Sequence, residues 1–226
     1  MKKMTKFFAL ALLVGAMVSC STEDTAPSTQ NDKVAVQFTG GINVNTRAAG
    51  VAWADGDRIG IFMTEAGKTL SADVIKEGVD NVCYQSNGSI GFSPVSGGKT
   101  VFFPIDGDVD FYSYYPQTTV NDYKVALDVT DQTKQETIDF MYAKTEGCNK
   151  ATPQVDLKFF HKLSNLILDV QPGNGLTQED LKNMTVTVKG QNTKATFNLV
   201  DGTISGEENP ADITMKTTEA GKLYEA

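Results

Sequence analysis

The sequence predicts an all-β fold built from β-sandwich layers, and three observations carry that reading. Short stretches of alternating apolar and polar residues recur along most of the chain, as half-buried strands require. Turn-forming residues separate them at close intervals. The strands also follow one another closely, which argues for sandwich layers rather than βαβ units. At 226 residues the chain suffices for one large or two modest domains.

Residues 1–19 stand outside that fold. Lys2, Lys3 and Lys6 precede an apolar run from Phe7 to Val18, the layout of a secretory signal and too short to span a bilayer. The run ends Ala16-Met17-Val18-Ser19-Cys20, which resembles a bacterial lipobox. That resemblance implies cleavage between Ser19 and Cys20, acylation of Cys20, and attachment to membrane lipid. Loss of the 19 residues with their three lysines moves the formal charge from −8 to −11. An acidic exported chain lacks the basic footprint of a nucleic-acid-binding protein. Residues 20–32 are polar and read as a tether.

Residues 33–150 form the first predicted sandwich. Lys33–Asn45 reads as one long strand, with Val34, Val36, Phe38, Ile42 and Val44 on one face and a bulge at Gly40-Gly41. The segment from Asn45 to Gly50 is a small-residue linker holding Arg47 and Ala48, the kind of site where proteolysis concentrates. Trp53 precedes an Asp55-Gly56-Asp57 turn, and Ile59, Ile61 and Met63 then alternate onto one strand face. A large aromatic before a tight turn is expected to bury itself as a core corner. Residues 71–80 suit a helical turn or a loop. Val82–Gln85 and Ile90–Phe92 flank a Ser86-Asn87-Gly88-Ser89 hairpin signal. Further strands are expected over Thr100–Phe103, Val109–Tyr115, Tyr123–Val129 and Ile138–Tyr142.

Residues 151–226 form the second block. Leu157–Val170 reads as a long apolar strand, Pro172–Gly175 as a turn and Leu176–Asn183 as a short helix. Met184–Lys189, Ala195–Val200 and Thr203–Ser205 read as strands, with Asp201-Gly202 a two-residue hairpin turn. Ile213–Lys216 and Leu223–Tyr224 follow. About four strands are too few to cover both faces of a sandwich, so this second domain is expected to be incomplete.

Four segments in order resemble the fimbrillin-like lipoproteins of anaerobic Gram-negative bacteria. They are Trp53–Phe62, the aromatic run Phe111–Pro116, Asp139–Ala143, and Leu157–Ser164. The resemblance implies two transthyretin-like β-sandwich domains and a kinship with subunits of strand-exchange pili. It also implies a lipid-anchored outer-membrane or fimbrial location. In such proteins a protease cuts after an arginine, the first strand leaves, and a strand of another fimbrial subunit takes its place. Arg47 and Ala48 match the cut. Val34, Val36, Phe38, Ile42 and Val44 match the displaced strand. The resemblance also implies further C-terminal strands beyond those read here, so the chain is expected to be an accessory, anchor or tip-like relative of such subunits.

Catalytic chemistry finds little to work with. His161 is the only histidine, and no GxSxG, HExxH or phosphate-cradling loop occurs. Asp106-Gly107-Asp108-Val109-Asp110 begins like a calcium loop but has Phe111 where glycine is needed and Gln117 where glutamate is needed. No metal, cofactor or enzymatic activity is expected. Cys83 and Cys148 are left as a disulfide or as two small core residues, both open in an oxidising compartment. A second functional reading also stays open: Tyr112 and Tyr114 share a strand face, and if exposed they would stack on a glycan or host ligand of a non-polymerising lipoprotein.

Overall fold

A computed structural model of the protein describes residues 33–43 and 52–226. Its strands are, in chain order, β1 (Gln37–Asn43), β2 (Asp55–Glu65), β3 (Val82–Asn87), β4 (Gly91–Pro94), β5 (Val109–Tyr115) and β6 (Lys124–Asp128). Then come β7 (Met141–Cys148), β8 (Gln154–His161), β9 (Ile167–Asp169), β10 (Thr187–Asn198), β11 (Thr203–Thr214), β12 (Lys216–Glu219) and β13 (Leu223–Glu225). Helical structure among the described residues is confined to 3₁₀ turns at Ala72–Val74, Gln135–Thr137 and Gln178–Leu181.

The all-β class is therefore as the sequence indicates. Seven strands close a barrel in the order β1-β4-β3-β2-β5-β7-β8, and two three-stranded sheets, β11-β10-β6 and β12-β13-β9, accompany it. β8 lies in this barrel beside β1, and β6 pairs with β10, so the hydrogen-bonded sheets run across both blocks read from the sequence.

Two cores explain why the strands hold this arrangement. Inside the barrel lie Val36, Phe38, Trp53, Ile59, Ile61, Met63, Phe111, Leu157 and Phe159. They come from alternate positions of their strands, the period-two pattern of a pleated sheet. The barrel's outer face packs against β6 and β10 through Phe62, Tyr112, Tyr114, Val125, Leu127 and Phe197. β5 serves both cores at once, and all seven of its residues are buried. Its odd-numbered members Val109, Phe111 and Tyr115 face the interior cluster, while Tyr112 and Tyr114 face the outer one.

Three expected elements differ. The apolar run Leu157–Val170 is not one strand: burial alternates only as far as Phe159, and β8 ends at His161. The chain then leaves the barrel, exposes Leu166 and Ile167, and pairs β9 with β13. The expected helix over Leu176–Asn183 is a single 3₁₀ turn started by a Thr177/Asp180 capping box. Thr100–Phe103 contributes one bridge, Ala35 to Phe102, rather than a full strand.

Candidate functional site

β1 is bonded on both edges. It pairs antiparallel with β4 through Phe38–Phe92 and Thr39–Gly91. It pairs parallel with β8 over seven positions, from Gln37–Gln154 to Asn43–Phe160. Every other strand pair in the barrel is antiparallel. The N-terminal strand is thus a stave set between β4 and β8, and withdrawing it would leave two open sheet edges facing one slot.

The inward side chains of β1 and the residues before it meet shaped surroundings. Val36 and Phe38 are buried, and Val34 and Ile42 pack on the barrel core while partly exposed. Phe38 stands edge-on between Tyr84 and Phe111, with ring centroids 5.2 and 5.1 Å away. Full burial of Val36 and Phe38 contributes about 3–6 kcal/mol together. At Gly40 the inward position is taken by neighbouring rings instead. The Trp53 indole Nε1 donates to the Gly40 carbonyl at 2.8 Å, and Trp53 itself packs edge-on to Phe92, Tyr115 and Phe159. Trp53 is the core corner its place before the turn implies, and it grips β1 directly.

The remaining predicted residues fall in several places. Ser19, Cys20, Val44, Arg47 and Ala48 lie outside the described residues. Cys83, on β3, and Cys148, at the end of β7, are free thiols, so the disulfide left open by the sequence is not formed. Burial pushes the Cys148 thiol up to about 11, with Asp110 and Asp108 adding to it. Tyr112 and Tyr114 do not form an exposed platform. Both are buried against the outer layer, so the alternative that needed them exposed for glycan stacking loses its premise.

Sequence reasoning did not reach three features. His161 Nδ1 lies 2.7 Å from Asp139 Oδ1, while its buried Nε2 has no partner. Asp110, in the stretch resembling a calcium loop, is buried and accepts from the backbone N–H groups of Gly67 and Gly147, both at 2.8 Å. It ties the loop after β2 to the end of β7 rather than facing an ion. A groove of about 670 Å³ opens beside Trp53, Tyr115, Met141 and His161, with Val188 and Ile213 on its other wall. None of these shows as a contiguous motif.

Comparison with known proteins gives this arrangement its context. The fimbrillin-like family matches residues 46–226. Fim1C of Bacteroides uniformis, named as a candidate fimbrium subunit, is 35% identical, over 99% of this chain and 72% of its own. A crystal structure of a candidate cell adhesion protein from Bacteroides uniformis has a TM-score of 0.72 and 34% identity, covering 86% of this chain and 74% of its own. A second, from Bacteroides ovatus, has a TM-score of 0.67 and 28% identity, covering 86% and 77%. The chain belongs to the fimbrillin-like family.

Proposed function

We propose that this protein is a surface-exposed fimbrial lipoprotein whose first strand is released by proteolysis and replaced by a strand of another subunit. Its role in this reading is structural or adhesive, not catalytic. The observation that carries the proposal is the position of β1: the N-terminal strand of the described fold, bonded on both edges, and joined to β8 by the one parallel pairing in the barrel. A cut after Arg47 would separate this stave from β2 and everything that follows. The barrel would then lose a main-chain ladder on each side and the burial of Val36 and Phe38. Those losses are large against a domain stability of about 5–15 kcal/mol. An added strand restores both terms together.

The rest of the reading comes with it. Residues 1–19 act as a lipoprotein signal, Cys20 carries the lipid that holds the chain at the outer membrane, and residues 20–32 are the tether. The names of the relatives, a fimbrium subunit and cell adhesion proteins, support a place on the cell surface or in a fimbrium. The burial of Tyr112 and Tyr114 removes the feature on which the glycan-stacking alternative stood.

N-terminal sequencing and intact mass on protein released from cells test this. The expected product begins at Ala48, lacks the lipid and forms oligomers. A chain that stays acylated at Cys20 and monomeric after trypsin exposure would overturn the proposal.

A further inference from the structure

We infer that the slot occupied by β1 selects its strand through a subsite that admits only glycine at the place of Gly40. A strand replacing β1 from another subunit then carries an apolar residue, an aromatic residue, glycine and an apolar residue at alternate positions. The inference rests on the strand-exchange reading above and names the kind of partner it requires.

The geometry is specific. A Cβ built on Gly40 would stand 2.7 Å from Phe92 Cε2 and 3.2 Å from Phe159 Cε2, closer than carbon atoms pack. Phe92 cannot simply swing away. It is buried edge-on against Trp53 with centroids 5.1 Å apart, and Phe159 holds the same relation to Trp53 at 5.1 Å. The Gly40 backbone is held too, with its N–H donating to the Ile90 carbonyl and its own carbonyl accepting from Trp53, both at 2.8 Å. The strand therefore cannot back off from the rings without giving up two hydrogen bonds. The next residue supplies a contrast, because a Cβ on Gly41 would meet nothing within 4 Å.

Register follows from the same socket. Phe38 fills a site walled by Tyr84 and Phe111 two positions before Gly40. A slip of one residue would turn the strand's outward side chains inward, and a slip of two would drive a side chain into Phe92 and Phe159. Main-chain pairing alone accepts almost any extended segment, so an excluding subsite is what gives such a slot discrimination. Phe38-Thr39-Gly40 is the only place in the 226 residues where glycine stands two positions after an aromatic residue. The required pattern is a restrictive one.

The test uses the full chain with a specific protease site replacing residues 46–49. After cutting, a labelled peptide of residues 33–45 is exchanged in, and unlabelled peptides compete for the slot. The wild-type and Gly41→Ala peptides are expected to compete within about threefold of each other. Gly40→Ala should be weaker by about tenfold or more, and Gly40→Val should not compete, as overpacking of a filled core implies. A Gly40→Val peptide that competes as well as wild type would overturn the inference. If no peptide exchanges, the strand-exchange reading fails instead. The subsite is then judged in the uncut chain, where Gly40→Ala must lower the Tm and Gly41→Ala must not; equal Tm values would overturn it.

Discussion

The Tyr142 hydroxyl donates to the Leu199 carbonyl at 2.9 Å, a buried bond between residues 57 apart in sequence. Tyr142 belongs to β7 of the barrel, and Leu199 lies in the turn that joins β10 to β11. The bond sits at the edge of the outer core, where the Tyr142 ring also packs against Phe197 at 5.2 Å. It fixes how the β10–β11 hairpin lies on the barrel wall, which apolar packing alone would leave freer to slide.

Tyr142→Phe keeps the ring and deletes only that bond. The Leu199 carbonyl would remain buried without a donor, and such a group costs about 1–3 kcal/mol. A lowered urea midpoint with an unchanged m-value is the expected result. Tyr112→Phe provides the comparison, since its hydroxyl bond to the Lys68 carbonyl is a long 3.3 Å and its loss should register less.

Trp53→Phe should loosen β1 in particular. The change removes the donor to Gly40 and part of the edge-on packing with Phe92, Tyr115 and Phe159. The expected loss is about 2–4 kcal/mol, from an unmade bond and an under-filled corner. Amide hydrogen exchange locates it. The Gly40 N–H, bonded to the Ile90 carbonyl, should exchange faster by a larger factor than the Tyr114 and Ser113 amides of β5. Uniform acceleration across the barrel would show that Trp53 supports the whole core and not the strand.

Much of this architecture was legible residue by residue. Alternation placed β1 and β6 because each carries a period of two in its apolar residues, and Asp201-Gly202 marked its hairpin by turn chemistry. The role of Trp53 followed from one large aromatic next to a tight turn. What stayed hidden was which strands meet. Nothing local in Gln37–Asn43 says that it pairs parallel with Gln154–His161, because register over such a separation is set by the packing of Phe38, Leu157 and Phe159 in a common interior. The tyrosines of β5 left two readings open for a related reason. A strand alternating between two apolar faces reads as one with an exposed aromatic face until the layer covering Tyr112 and Tyr114 is known.

The free thiols should be slow nucleophiles. Burial raises the Cys83 thiol, partly countered by Arg58, and pushes Cys148 up to about 11. The thiolate is the reactive form, so alkylation at neutral pH should lag behind a free cysteine by about tenfold or more at Cys148 and should accelerate as pH climbs toward 11. Iodoacetamide labelling of a Cys20→Ser chain, followed by peptide mass mapping, measures this. Prompt labelling of Cys148 at pH 7 would mean that the end of β7 opens readily, and the ties from Asp110 to Gly67 and Gly147 would then be weaker than their 2.8 Å geometry indicates.

Alkali should unfold the protein through its buried tyrosines. Burial pushes the Tyr114 hydroxyl up to about 12, only partly offset by the bonds it makes with Thr118 and Asn81. Tyr115 and Tyr142 are raised further, in each case mainly by burial, with Asp57 adding at Tyr115 and Tyr112 at Tyr142. A tyrosine in the unfolded chain ionises near pH 10. The folded state therefore binds the phenolic proton more tightly than the unfolded state does. Its contribution to stability is complete below about pH 10 and is lost as pH rises through the folded value. For Tyr114 alone the shift of about two units corresponds to roughly 2–3 kcal/mol, lost between about pH 10 and pH 12. The urea midpoint should hold steady through mildly alkaline pH and then fall steeply, with tyrosinate absorbance rising in step with unfolding. Tyr114→Phe should begin from a lower midpoint, because the Thr118 and Asn81 groups lose their partner, yet show a shallower alkaline decline. Gradual tyrosinate formation near pH 10 with the fold intact would show that these hydroxyls reach water, and that the outer layer over β5 is not the sealed core its burial describes.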